Sequence, residues 1–96
     1  MSYNWTRLTT DQVVSKVACN LGAVIVTPNG DSKNGNIVLY DGESTSDLPI
    51  ITIRTGTGVT KTVRFTPPLL CRRGLYVDLG SHVDECLVQW EPLTSH

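Results

Sequence analysis

The feature that most constrains this chain is its punctuation. Apolar residues come in short, often alternating stretches, and nearly every stretch is closed by Gly, Pro, Asn or Asp. Ala23 to Thr27 runs into Pro28-Asn29-Gly30, and Asn36 to Tyr40 runs into Asp41-Gly42. The polar loop between them holds two Asn-Gly pairs, which tolerate positive φ. Leu48 to Arg54 sets Ile51 and Ile53 against Thr52 and Arg54, and a Gly-rich turn over 55–58 follows. Val59 to Thr66 alternates Val59, Lys61, Val63 and Phe65 with Thr60, Thr62 and Arg64; Pro67-Pro68 is expected to end it, because proline cannot donate to a central ladder. Leu69 to Cys71 is a short segment before the turn Arg72-Arg73-Gly74. Leu75, Val77 and Leu79 then share one face, and Cys86, Val88 and Trp90 alternate with Glu85, Leu87 and Gln89.

Only Thr10 to Asn20 offers a competing period. A short helix capped at Thr9, Thr10 or Asp11 is one reading. A strand with Val13, Ser15, Val17 and Cys19 on one face is the other, and the excess of β-branched residues favours it. Seven or eight short segments joined by turns predict an all-β, antiparallel two-sheet sandwich of about eight strands, jelly-roll-like. The domain is expected over residues 11–91, with an N-terminal arm over 1–10 and a C-terminal tail over 92–96.

At 96 residues the chain is one domain. Surface scaling buries roughly 64% of the unfolded chain's area, enough for one thin core. Net stability in the range of roughly 5 to 14 kcal/mol leaves room for association to matter. The formal charge is −1, with 8 basic residues interspersed among 9 acidic ones. A basic field that would release counterions from nucleic acid is missing, so no nucleic-acid partner is expected. The N-terminus shows no secretory pattern and no apolar run approaches a membrane span, so no membrane partner is expected and synthesis in the cytoplasm is. Cys19, Cys71 and Cys86 are widely spaced, without a CxxC pair, and are expected as reduced core thiols.

Chemistry-bearing residues are sparse. His82 sits in a turn and His96 at the end, so neither is fixed as a general base. Asp31, Asp41, Glu43 and Asp47 lie in neighbouring loops but lack the calcium-loop pattern, and Asx-turn duty is expected of Asp31 and Asp41. Asp78 and Glu85 lie on strands and could face each other, as any two strand carboxylates can, and a hydrolase would need both in one pocket. Gly56 and Gly58 lack the context of a phosphate-binding loop. Asn4-Trp5-Thr6 matches the N-glycosylation pattern but has no signal peptide to bring it to the machinery. No catalytic residue, metal ligand or cofactor is expected. The aromatics near both ends, Tyr3, Trp5 and Trp90, are more informative, because Trp and Tyr are favoured at interfaces. With Arg7, Arg72 and Arg73 they form the expected contact set, and the arm that carries Trp5 either caps the core or docks on another chain.

In order, Val24 to Gly30, Asn36 to Gly42 with Ser44-Thr45, Phe65 to Cys71, and Gly74 to Asp78 resemble small virion proteins of tailed bacteriophages over roughly three quarters of the chain. Several of these are jelly-roll decoration, or cement, proteins. The resemblance implies a non-enzymatic capsid decoration subunit, trimeric, on the exterior of the virion, with the major capsid protein as partner. The alternative is a tail or fibre module that recognises a host surface carbohydrate, for which Tyr40 with Asp41 and Glu43, or Tyr76 with Asp78, supply the aromatic and acidic groups.

Overall fold

Eight strands emerge in the computed structural model, which describes residues 4–29, 35–56, 58–80 and 82–93. They are β1 (Asn4–Leu8), β2 (Gln12–Ser15), β3 (Cys19–Pro28), β4 (Asn36–Asp41), β5 (Leu48–Arg54), β6 (Lys61–Cys71), β7 (Leu75–Leu79) and β8 (Val83–Pro92). All pairings are antiparallel: β1 with β8, β2 with β7, β3 with β6 and β4 with β5. The first strand thus pairs with the last, the second with the next to last, and so inward. Two further pairings, β3 with β8 and β4 with β7, join these ribbons into sheet A, ordered β1-β8-β3-β6, and sheet B, ordered β2-β7-β4-β5. That is the strand order of a jelly roll, and the expected two-sheet sandwich is borne out.

The core lies between the sheets. Leu8, Leu21, Val24, Val26 and Val88 from sheet A are fully buried against Ile37, Leu39, Leu75 and Val77 from sheet B. The alternation expected for β7 holds at Leu75 and Val77, which are fully buried, with Leu79 packed against them. That of β8 holds at Cys86 and Val88, with Trp90 packed at the end of the cluster.

Three segments differ from expectation. The strand expected over 10–20 is two strands in different sheets, because the chain turns at Lys16-Val17. The Ser15 hydroxyl donates to the Val17 carbonyl at 2.7 Å and accepts from the Val17 amide at 3.3 Å. A side chain that satisfies the backbone locally competes with the ladder, and Val17 is left exposed. Pro67-Pro68 does not end its strand: β6 continues to Cys71, because an edge strand needs no donor on its open side. The Thr66-Pro67 bond is cis, and the register slips between Arg64 and Leu69. Finally, Asn4 to Leu8, read as part of an arm, lies along β8 as an edge strand. Five residues of mixed polarity carry too little alternation to be recognised without their partner.

Candidate functional site

Each sheet has an outer face, and β3 explains the one on sheet A. Cys19 and Leu21 point inward, but so do Val24 and Val26, so the alternation changes phase at Gly22. The cause is a bulge: Gly22 is an extra residue relative to β8, while opposite it β6 swings out over 65–68. Between the bulge and the swing lies a shallow groove of about 390 Å³, lined by Gly22, Ala23, Arg64, Phe65, Pro68 and Gln89. Ala23 is nearly buried beneath it, although it faces outward.

One cross-strand row on this face reads Trp5, Gln89, Ala23, Arg64 from edge to edge, and the next reads Arg7, Leu87, Ile25, Thr62. Trp5 is 67% exposed on edge strand β1. Arg7 Nε donates to Glu85 Oε1 at 2.9 Å, an exposed ion pair beside it. Charge is segregated by strand: β8 carries Asp84, Glu85 and Glu91 without a base, whereas β6 carries Lys61 and Arg64 without an acid and leads into Arg72-Arg73.

Sheet B presents a different surface. Its central outer row is Val13, Tyr76, Tyr40, Pro49, and the two tyrosine rings lie 6.1 Å apart, tilted by 59°. Asp78 follows Tyr76 outward on β7, and Asp11 stands beside it, its Oδ1 accepting the Leu79 amide at 2.7 Å. Desolvation, and then the charge and hydrogen bond of Asp11, raise Asp78 above the usual carboxylate range. Tyr76 is raised by desolvation first and then by Asp11, Asp78 and Tyr40.

The expected contact set is dispersed. Trp5 and Arg7 share the outer face of sheet A, and Arg72 and Arg73 are exposed in the turn after β6. Trp90 is half-buried on the core side, its Nε1 donating to Thr6 Oγ1 at 3.0 Å. Tyr3, Asp31 and His96 lie outside the described residues. Asp78 and Glu85 are on different sheets, and Glu85 is taken by Arg7, so the two carboxylates do not line one pocket. Asp41 Oδ1 accepts the Arg73 amide at 2.8 Å, across 32 positions and not within its own turn, and Asp47 Oδ2 accepts the amides of Glu43 and Ser44. His82 has φ +66°, and its carbonyl accepts the Asn29 amide at 3.0 Å, a turn role.

The three cysteines are buried free thiols. Cys19 and Cys71 are register partners on β3 and β6. The interaction between these two thiols raises Cys71 and lowers Cys19, while burial pushes Cys86 up to about 12.

The sequence reading did not single out the groove or the role of Asp11. Gly22 inside an apolar run and the proline pair in β6 were the available signals, but they read as a bulge and groove only once β3 and β6 are known to be neighbours. Comparison of the chain with protein-family models, with curated proteins and with solved structures found no match.

Proposed function

We propose that this protein is a non-enzymatic structural subunit of a tailed-phage virion, a homotrimeric decoration protein on the capsid exterior that braces the head through contacts with the major capsid protein. The observation that carries a contact role is Trp5, an indole held two-thirds exposed on a strand and not on a loose arm. An exposed tryptophan on rigid backbone loses little conformational entropy on docking and has the character of an interface anchor. The jelly-roll strand order and the sequence resemblance support the virion setting. The test is to mix the protein with capsids that lack it and to measure its mass in solution. Saturable binding that raises the melting temperature of the shell is the expected result; a strict monomer that never binds capsids overturns the reading.

A second reading has its own observation. Tyr40 and Tyr76, far apart in sequence, lie side by side with Asp78 and Asp11 near them. Aromatic faces stack on sugar rings and carboxylates accept hydroxyl hydrogens, which suits a carbohydrate-binding module of a tail or fibre. Binding on a host glycan array that is lost in both Tyr40→Ala and Tyr76→Ala supports it; silence of the native protein across the array removes it.

A further inference from the structure

Cys19 opens β3 and Cys71 closes the edge strand β6. Far apart in sequence, they are register partners, and both are fully buried in the one core. The Ala18 carbonyl accepts the Leu93 amide at 2.9 Å on the β8 side, so the backbone groups of Cys19, one residue on, turn toward β6. Cys19 and Cys71 are therefore a hydrogen-bonded antiparallel pair, whose Cα atoms stand about 5.5 Å apart, inside the roughly 4.4 to 6.8 Å that a disulfide spans. We propose that Cys19 and Cys71 are a site of reversible oxidative cross-linking, a disulfide that staples edge strand β6 to central strand β3 on exchange with a low-molecular-weight disulfide. Cys86 is set apart. Its register partners are Leu8 and Val26, toward the other end of β3, roughly 20 Å from Cys19 at about 3.3 Å per residue. No rotamer spans that gap, so the third thiol is left over.

The end of β6 supplies access. The register slip between Arg64 and Leu69 leaves Leu69, Leu70 and Cys71 as a separate short run of pairs to β3, and β6 has no neighbour on its other side. Such a run opens at lower free energy than the centre of a sheet. Opposed side chains hold their Cβ atoms about 4.5 to 5.5 Å apart and a disulfide holds them near about 3.8 Å, so the strand end closes by about 1 Å. The strain of that closure keeps the bond reducible, which suits a reversible link. In the exchange, the Cys19 thiolate attacks one sulfur of the small disulfide and expels the other half as a thiol. Cys71 then gives up its proton and attacks the Cys19 sulfur of the mixed disulfide, expelling the second half. The protein dithiol loses two electrons and two protons, and the small disulfide takes up both to become two thiols. Cys19 goes first because the Cys71 thiol beside it holds it below the ordinary thiol range. The bond fixes the strand end that leads into the Arg72-Arg73-Gly74 turn, which Asp41 already holds through the Arg73 amide. Oxidation thus ties down the crossing from sheet A to sheet B.

The test incubates the full folded chain with oxidised glutathione and, in a second arm, refolds it from urea in the same buffer. Alkylation, intact mass and peptide mapping then read the linkage. Alkylatable thiols are expected to fall from all three cysteines to Cys86 alone, with Cys19 joined to Cys71. The melting temperature rises by roughly 5 to 15 °C over the reduced protein, and reductant reverses the rise. C86A keeps both the link and the shift, whereas C19A and C71A each lose both, with strand content checked by circular dichroism. Three free thiols in both arms, a link that includes Cys86, a mixed disulfide that never resolves, or an oxidised protein that melts no higher than the reduced one overturns the proposal. None of these readouts involves capsids or glycans, so the outcome is separate from the readings above.

Discussion

Sheet A is built largely from long strands, with β3 and β8 of 10 residues and β6 of 11, whereas the strands of sheet B run from 4 to 7. Length gives sheet A room for irregularity: the bulge at Gly22, the swing over 65–68 and the groove between them. Sheet B also has bulges, in β2 and β5, but its central strands β4 and β7 pair without a register break and leave a flat ledge of two tyrosines and two carboxylates. The inner faces do the same work, each contributing fully buried aliphatic side chains to one core. The specialisation is on the outside, where one sheet offers shape and segregated charge and the other offers aromatic rings and acid.

Equal inner faces make the largest prediction. Leu21→Ala in sheet A and Leu39→Ala in sheet B both empty a fully buried site and are each expected to lower the unfolding free energy by about 3 to 4 kcal/mol in urea titrations. If one costs several times the other, the core is not shared and the comparison fails.

Next in size is the joint between the sheets. Gly74, in the turn from β6 to β7, has φ +136°, and a Cβ there would meet the Ser15 carbonyl oxygen at 2.5 Å and that of Gly42 at 3.2 Å. Gly74→Ala is expected to cost about 2 to 3 kcal/mol. Gly58, at φ +68° with nothing near a built Cβ, isolates the backbone cost alone, and Gly58→Ala is expected to cost about 1 kcal/mol. Equal losses at the two positions would mean that the turn, and not the clash, sets the penalty.

A smaller effect probes the open end of sheet B. Thr55 is a buried polar residue, and its Oγ1 accepts the Gly35 amide at 2.9 Å while its own amide donates to the Gly35 carbonyl. Thr55→Val keeps the shape and orphans that amide, for an expected loss of about 1 to 2 kcal/mol. Chemical denaturation measures it, and a neutral result would show that the Gly35 amide finds another partner.

The same contrast explains what could be read from the residues alone. Sheet B was largely legible, because β4 and β7 alternate between clear turn signals and Leu75 and Val77 face inward as expected; in β5 Ile53 is buried but Ile51, expected on the same face, is exposed, next to the bulge at Ile50 that interrupts the alternation. Most of sheet A's irregularity was not. Gly22 changes the phase of β3 and the prolines of β6 look like a stop, so a reading based on period and punctuation splits β6 in two. β1 was invisible because its alternation matters only against β8. The sites followed suit: Trp5 stands out as an aromatic in an unusual place, but the groove of sheet A draws on β3, β6 and β8 together, and the pairing of Tyr40 with Tyr76 depends on β4 lying beside β7. Side-chain chemistry is local, whereas the row in which a side chain stands is not.

The smallest expected effect belongs to the acidic ledge. Asp78 is held above its ordinary range chiefly by desolvation and then by Asp11. A carboxyl whose affinity for a proton is higher in the folded state than in the unfolded chain supports folding while protonated. That support is full below its ordinary value of 3.8 and is lost as pH rises through the raised one. Asp78→Asn is neutral at every pH and can donate to Asp11, so it escapes the loss. Its melting temperature relative to the native protein is therefore expected to rise as pH increases from about 3.8 toward neutrality. Because Asp78 is only partly buried, the gain is small, about 1 to 2 °C, and shrinks with added salt. Melting curves of both proteins across that interval measure it. A pH-independent difference would mean that Asn stabilises by packing or hydrogen bonding alone, and that the two carboxylates of sheet B do not feel each other.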